Sequence, residues 1–218
     1  PDWQSSEDEL SLAFSAVLQK LNQNNDFPIT LIINISDTTE EEANLLLSSV
    51  AMNLLMEEDL EMSENLNFSF IENLSLSQWE ALLPNVLARI QLDREKLPEL
   101  EALELSEAIE SLPVLSAQHP NYLLQPDWNL ESDRLTEDVT QALKTLAEQE
   151  DNEKACVLID IDEMDGETIA IYLSEIVMNL LIEDGIDLND RFQLSLIHNL
   201  RPAQRQALMT QIKRIESE

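Results

Sequence analysis

The chain of 218 residues contains only two glycines, Gly166 and Gly185. Phosphate cradles need glycine, because backbone amides close on a ligand only where no Cβ stands in the way. No P-loop and no dinucleotide fingerprint can be drawn, so nucleotide chemistry is not expected. Cysteine is almost missing too. Cys156 stands alone at the head of an apolar run, which rules out an internal disulfide and predicts a buried thiol, not a nucleophile. Basic residues are few: Lys and Arg number 12 against 44 Asp and Glu, for a formal charge of −32. That field repels nucleic acid and anionic membrane surfaces, and no basic patch offsets it. No apolar run approaches the ~18 residues of a membrane span, and nothing reads as a signal peptide. A cytoplasmic chain without nucleic-acid or membrane partners is the expectation.

Apolar residues, by contrast, are plentiful. They make up 44% of the chain, an ordinary share for a globular protein, so the acidity reads as solvated surface and not as disorder. Mimicry of DNA is the other reading of such charge.

The chain also repeats itself. Pro1-Asp2-Trp3 recurs as Pro126-Asp127-Trp128, and Met52-Asn53-Leu54-Leu55 as Met178-Asn179-Leu180-Leu181. Phe68 to Leu74 matches Leu194 to Leu200, while Gln78, Ala81 and Leu82 match Gln204, Ala207 and Leu208. The offset is about 126 residues, and agreement in register over such a length marks a duplication. Because Pro-Asp-Trp recurs internally, Pro1 reads as the edge of a module within a longer protein.

Both copies predict the same elements. An amphipathic helix (about 6–22 and 132–149) is followed by a short β-branched run, Ile29 to Ile35 or Cys156 to Ile161. A run without alternation suits a strand covered on both faces, as in a parallel sheet. Asp37 or Thr38 can cap a helix reaching about Glu58. A second strand follows (67–71 and 193–197), then a closing helix with Trp79, Leu82, Leu83 and Val86, or Leu208, Met209 and Ile212. Strand, five-turn helix and strand imply a right-handed crossover and a parallel pair. The predicted fold is α/β: a tandem duplication of a β-α-β-α unit, each preceded by a helix, three-layered, with short parallel strands. The expected division is 1–92, a helical linker at 93–125, and 126–218. One shared sheet and two small domains both fit.

Asp160 and Asp162 are the candidate metal ligands. Two carboxylates past the C-terminal end of a strand can hold Mg²⁺ or Mn²⁺ beside a phosphate, as in haloacid-dehalogenase-type phosphatases or metal-dependent glycosyltransferases. The first copy has Asn34-Ile35-Ser36 there, and the next strand ends in His198-Asn199 with no phosphate-binding hydroxyl or lysine. The favoured reading is therefore a helix N-terminus capped by acidic residues. A calcium loop fails because Gly166 comes one place late and Ile171 stands where the closing Glu belongs. His119 and His198 lack metal spacing, and Ser195 near His198 lacks a nucleophile elbow.

Met-Asn-Leu-Leu is the sequence the copies share most closely. Its apolar residues fit a helix face packed on the sheet. Asn53 and Asn179, poor helix formers in a helix interior, suggest a buried hydrogen bond or else a contact with a partner. Met52, Asn53, Trp79, Met178 and Asn179 are the repeat or interface candidates. Trp3, Trp79 and Trp128 are candidate docking anchors, with Trp3 and Trp128 read chiefly as covers for the core edge.

Ser48 to Leu60, followed by Asn73-Leu74-Ser75 and Trp79 to Pro84, resembles a segment of large cyanobacterial proteins. Those proteins combine tetratricopeptide repeats with glycosyltransferase or FkbM-type methyltransferase domains. The second copy departs from the likeness at Gly185 and Arg205. The resemblance implies a non-catalytic module beside a transferase, with no catalytic residue and no cofactor of its own. The partner expected is a protein or a neighbouring domain of the same polypeptide, with a homodimer as a further arrangement. Two alternatives are a divalent-metal-dependent glycosyltransferase or phosphoryl-transfer fragment using Asp160 and Asp162, and a free-standing acidic partner of a basic protein.

Overall fold

Helical spacing and β-branched runs set the order of elements. The computed structural model describes residues 1–23, 28–96, 103–110, 112–148, 154–162, 164–188, 191–198, 200, 202–209 and 212–214. In chain order these form α1 (Glu7–Gln23), β1 (Ile29–Asn34), α2 (Glu40–Glu58), β2 (Leu66–Ile71), α3 (Leu76–Leu82), β3 (Arg89–Gln91), α4 (Leu103–Glu110) and β4 (Val114–Ser116). They continue with β5 (Asn121–Leu124), α5 (Ser132–Glu148), β6 (Ala155–Asp162), α6 (Gly166–Asn179), β7 (Phe192–His198), α7 (Pro202–Met209) and β8 (Lys213–Arg214).

The chain divides into two units, Pro1–Leu112 and Pro113–Glu218. In the first, β1 pairs with β2 in parallel, from Ile29 opposite Leu66 to Asn34 opposite Ile71. In the second, β6 pairs with β7 in the same register, from Ala155 opposite Phe192 to Asp160 opposite Ile197. That sheet is wider: its order is β7-β6-β5-β8, and every neighbour is parallel. Each unit carries the duplicated α/β design expected of it, with a helix crossing over between parallel strands. The segment read as a linker belongs to both units. Its helix α4 packs Leu105 and Ile109 on Trp79 in the first, and β5 becomes an inner strand of the second.

Local chemistry repeats with the fold. Asp2 accepts the backbone N–H of Gln4 at 3.1 Å, and Asp127 that of Asn129 at 3.1 Å. Each Asp carbonyl also closes a turn, taking Ser5 N–H or Leu130 N–H at 3.1 Å. The tryptophan that follows each Asp then caps a strand: the Trp3 indole donates to the Asn34 carbonyl at 2.8 Å, and Trp128 to the Asp160 carbonyl at 2.8 Å. Pro-Asp-Trp is thus a turn that fastens the last carbonyl of β1, and in β6 the Asp160 carbonyl just before the irregularity at Asp160/Asp162.

The crossover helices start and stop alike. α2 is capped by Thr39, one residue later than the expected Asp37 or Thr38, through a reciprocal box with Glu42. Thr38 instead donates its hydroxyl to Glu42 at 2.9 Å, and Asp37 pairs with Lys96 at 2.8 Å. α6 is capped at the matching place by Asp165, which accepts Thr168 N–H at 2.9 Å. Hydrogen bonds from the Thr168 side chain and backbone hold the Asp165 carboxyl below its ordinary range. α2 stops at Asp59 (φ 54°); a π-helical turn, Leu180–Asp184, extends α6 and stops at Gly185 (φ 69°). Both stops place a left-handed residue where the helix ends. The closing helices are short. Pro84 diverts the first into a 3-10 turn, Leu83–Asn85, so Val86 lies beyond it, and Ile212 lies beyond α7.

The second unit has the larger core. Val139, Leu143 and Leu146 of α5 and Ile169, Leu173 and Ile176 of α6 pack on Val157, Ile159 and Ile161 of β6. On the alternate face of β6, Leu158 is fully buried as well. Strand residues buried on both faces explain the unbroken apolar run.

Candidate functional site

In parallel α/β sheets ligands gather beyond the C-terminal ends of the strands, and Asp160 sits there at the end of β6. Its carboxylate is buried and already held. Arg205 of α7 donates to Oδ2 at 2.6 Å and approaches Oδ1 at 3.5 Å, and Gln125, just past β5, donates to Oδ2 at 3.1 Å. A divalent cation here would have to displace the guanidinium. Asp162 closes the same strand, and its side chain lies outside the described residues. Among the described residues, no three His, Cys, Asp or Glu side chains group as a metal site. The arrangement is a charge pair, its carboxylate buried and its guanidinium partly exposed, that ties α7 to the sheet.

The sequence carried a signal for this pair that its reading as a metal site missed. Asp160 corresponds to Asn34 of the first copy, and Arg205 to Trp79. The two positions differ together. In the first unit Asn34 turns its side-chain oxygen to Ser36, taking N–H at 3.0 Å and O–H at 2.6 Å. Trp79 is buried against α4, so it is a core residue and not the docking anchor expected.

The other candidates fall into place around the sheets. The buried Cys156 thiol faces Gln193 Oε1 at 3.8 Å. Ser195 lies within β7, where its hydroxyl accepts Val114 N–H at 3.2 Å, and His198 is exposed at the strand's end.

Met-Asn-Leu-Leu behaves differently from its sequence reading. Only Leu54 and Leu180 pack inward. Met52 and Met178 are 55% and 54% exposed, and Leu45 and Ile171, two turns earlier, are 72% and 59% exposed. Leu55 and Met56 are exposed in the first copy, as are their counterparts Leu181 and Ile182 in the second. Asn53 and Asn179 are exposed too, which removes the buried hydrogen bond expected of them. Spacing explains the ridge. At about 100° per residue, Leu45, Met52 and Met56 line one side of α2, with Leu55 flanking them. The inward face is taken by Ala43, Leu47, Val50 and Leu54. The helix is therefore apolar on two faces, and the sheet covers one of them.

Carboxylates border both ridges: Glu41 on the first, and Glu167 and Glu175 on the second, all exposed. No protein-family model matches the chain, and no curated protein sequence matches it.

Proposed function

We propose that this chain is a non-catalytic interaction module which docks a protein partner, or a neighbouring domain of the same polypeptide, through the apolar ridges of its crossover helices. One observation carries the reading: four apolar positions face solvent in one copy, and the same four face solvent in the other. A buried position is retained because packing needs it. An exposed apolar position opposes solubility, so its retention through a duplication calls for a contact. The partner's complementary surface is an apolar groove with a basic rim, matched to a helix face edged by carboxylates. A transferase domain in the same polypeptide, as the resemblance implies, is the partner proposed. The cytoplasm, where the lone thiol stays reduced, is its proposed place.

Two experiments test this. A photo-crosslinking residue at Met52 or Met178 is expected to capture the same partner surface from both sites, and nothing from the exposed Leu12 on α1. Scattered products from all three positions would refute the ridge as a docking face. Calorimetric titration of the chain with Mg²⁺ and a UDP-sugar is expected to be flat. Saturable binding that vanishes in Asp160→Asn would replace this reading with a metal-dependent transferase.

A further inference from the structure

Among the described residues, one edge of strand β1 has no partner strand, and β1 pairs with β2 alone. Ile29 N–H donates to Asn65 O at 2.8 Å and Ile35 N–H to Ile71 O at 2.9 Å, so the odd-numbered residues of β1 face β2. Backbone groups alternate along a strand, which turns Thr30, Ile32 and Asn34 to the other edge. The second unit shows what belongs there. The counterpart of Thr30 is Cys156, whose N–H donates to Pro120 O at 3.0 Å, and β5 runs parallel to β6 from Asn121 opposite Cys156 to Leu124 opposite Ile159. Beyond β5, Gln125 leads directly into Pro126-Asp127-Trp128, and Trp128 caps Asp160 as Trp3 caps Asn34. Thr30 is exposed and Ile32 half-buried, where Cys156 and Leu158 are buried.

We infer that the free edge of β1 is a strand-accepting site. Its occupant is an extended segment of β5's chemistry (short, apolar on both faces, parallel to β1) whose C-terminal end leads into Pro1. The shared register of β1–β2 and β6–β7, and the shared geometry of the two Pro-Asp-Trp turns, fix direction and position. The strand enters beside Thr30 and finishes next to Trp3. This site is separate from the helical ridges and stands whether or not they dock a partner.

The test extends the full chain at its N-terminus with a second copy of the Pro120–Gln125 sequence, joined to Pro1. Backbone exchange at Thr30 and Ile32 is expected to slow at least about tenfold, and the melting temperature to rise. The control extension carries Tyr122→Pro in the copied segment, which removes an N–H that pairs with the acceptor strand; it is expected to do neither. Unchanged exchange with the intact extension would overturn the proposal. So would an unextended chain that sediments as a dimer with Thr30 and Ile32 already protected, because the edge would then belong to a second copy.

Discussion

Strands β1 and β6 hold the same place in their repeats and meet the following strand in the same register, yet they live in different surroundings. β6 lies between β5 and β7, and every one of its described side chains is buried. Among the described residues β1 has a neighbouring strand on one side, and of its residues only Ile33 is buried. Both runs are β-branched and aliphatic. The difference therefore comes from neighbours and not from the strands' own residues: burial in a sheet is conferred by what lies alongside.

The largest test of that comparison is a matched pair of truncations. Leu158→Ala in β6 is expected to cost about 2–5 kcal/mol, and Ile32→Ala at the corresponding place in β1 about 1–2 kcal/mol. Urea unfolding followed by tryptophan fluorescence reads both, and equal losses would break the comparison. The strand-end pair comes next. Arg205→Leu removes the guanidinium from a buried carboxylate, which Gln125 still donates to, at about 1–3 kcal/mol, moderated because the arginine is partly exposed. Adding Asp160→Asn, which restores the first copy's residue, is expected to recover most of that loss. A double variant no more stable than Arg205→Leu would show that the two positions do not work as a pair. The smallest effect lies at the helix stops. Gly185→Asp is expected to lower stability and Asp59→Gly to raise it, each by about 0.5–1 kcal/mol. No atom comes within 4 Å of a Cβ built on Gly185, so backbone strain alone would act there. Thermal unfolding checks the signs, and two changes of the same sign would mean the stops are not equivalent.

Much of the fold was legible because it rests on local chemistry. Helical spacing marked α1 and α5, the β-branched runs marked β1 and β6, and the crossover followed from their order. Asp37 and Thr38 can each cap α2 chemically, but Thr39 holds the place because its spacing to Glu42 closes the box. What failed were inferences about which way residues face. Apolar residues on a helix usually point inward, which predicts a sheet-facing side for Met52 and Leu55, but α2 has more apolar residues than one face can bury. Trp79 fits an anchor in the sequence because an aromatic residue carries no mark of whether a later helix will cover it. Asp160 fits a metal ligand in the sequence because its arginine stands 45 residues away.

The duplication, the order of helices and strands, the lone thiol and the lack of any glycine-built phosphate cradle are all written in the order of the residues. These depend on residue identity and on spacings of a few positions. It takes the folded chain to show that β5 shields one central strand while its counterpart has a single neighbour among the described residues, that Asp160 pairs with Arg205, and that both crossover helices present a second apolar face to solvent. Each of those depends on contacts between residues far apart in the chain, where local periodicity carries no information about which surface will be covered.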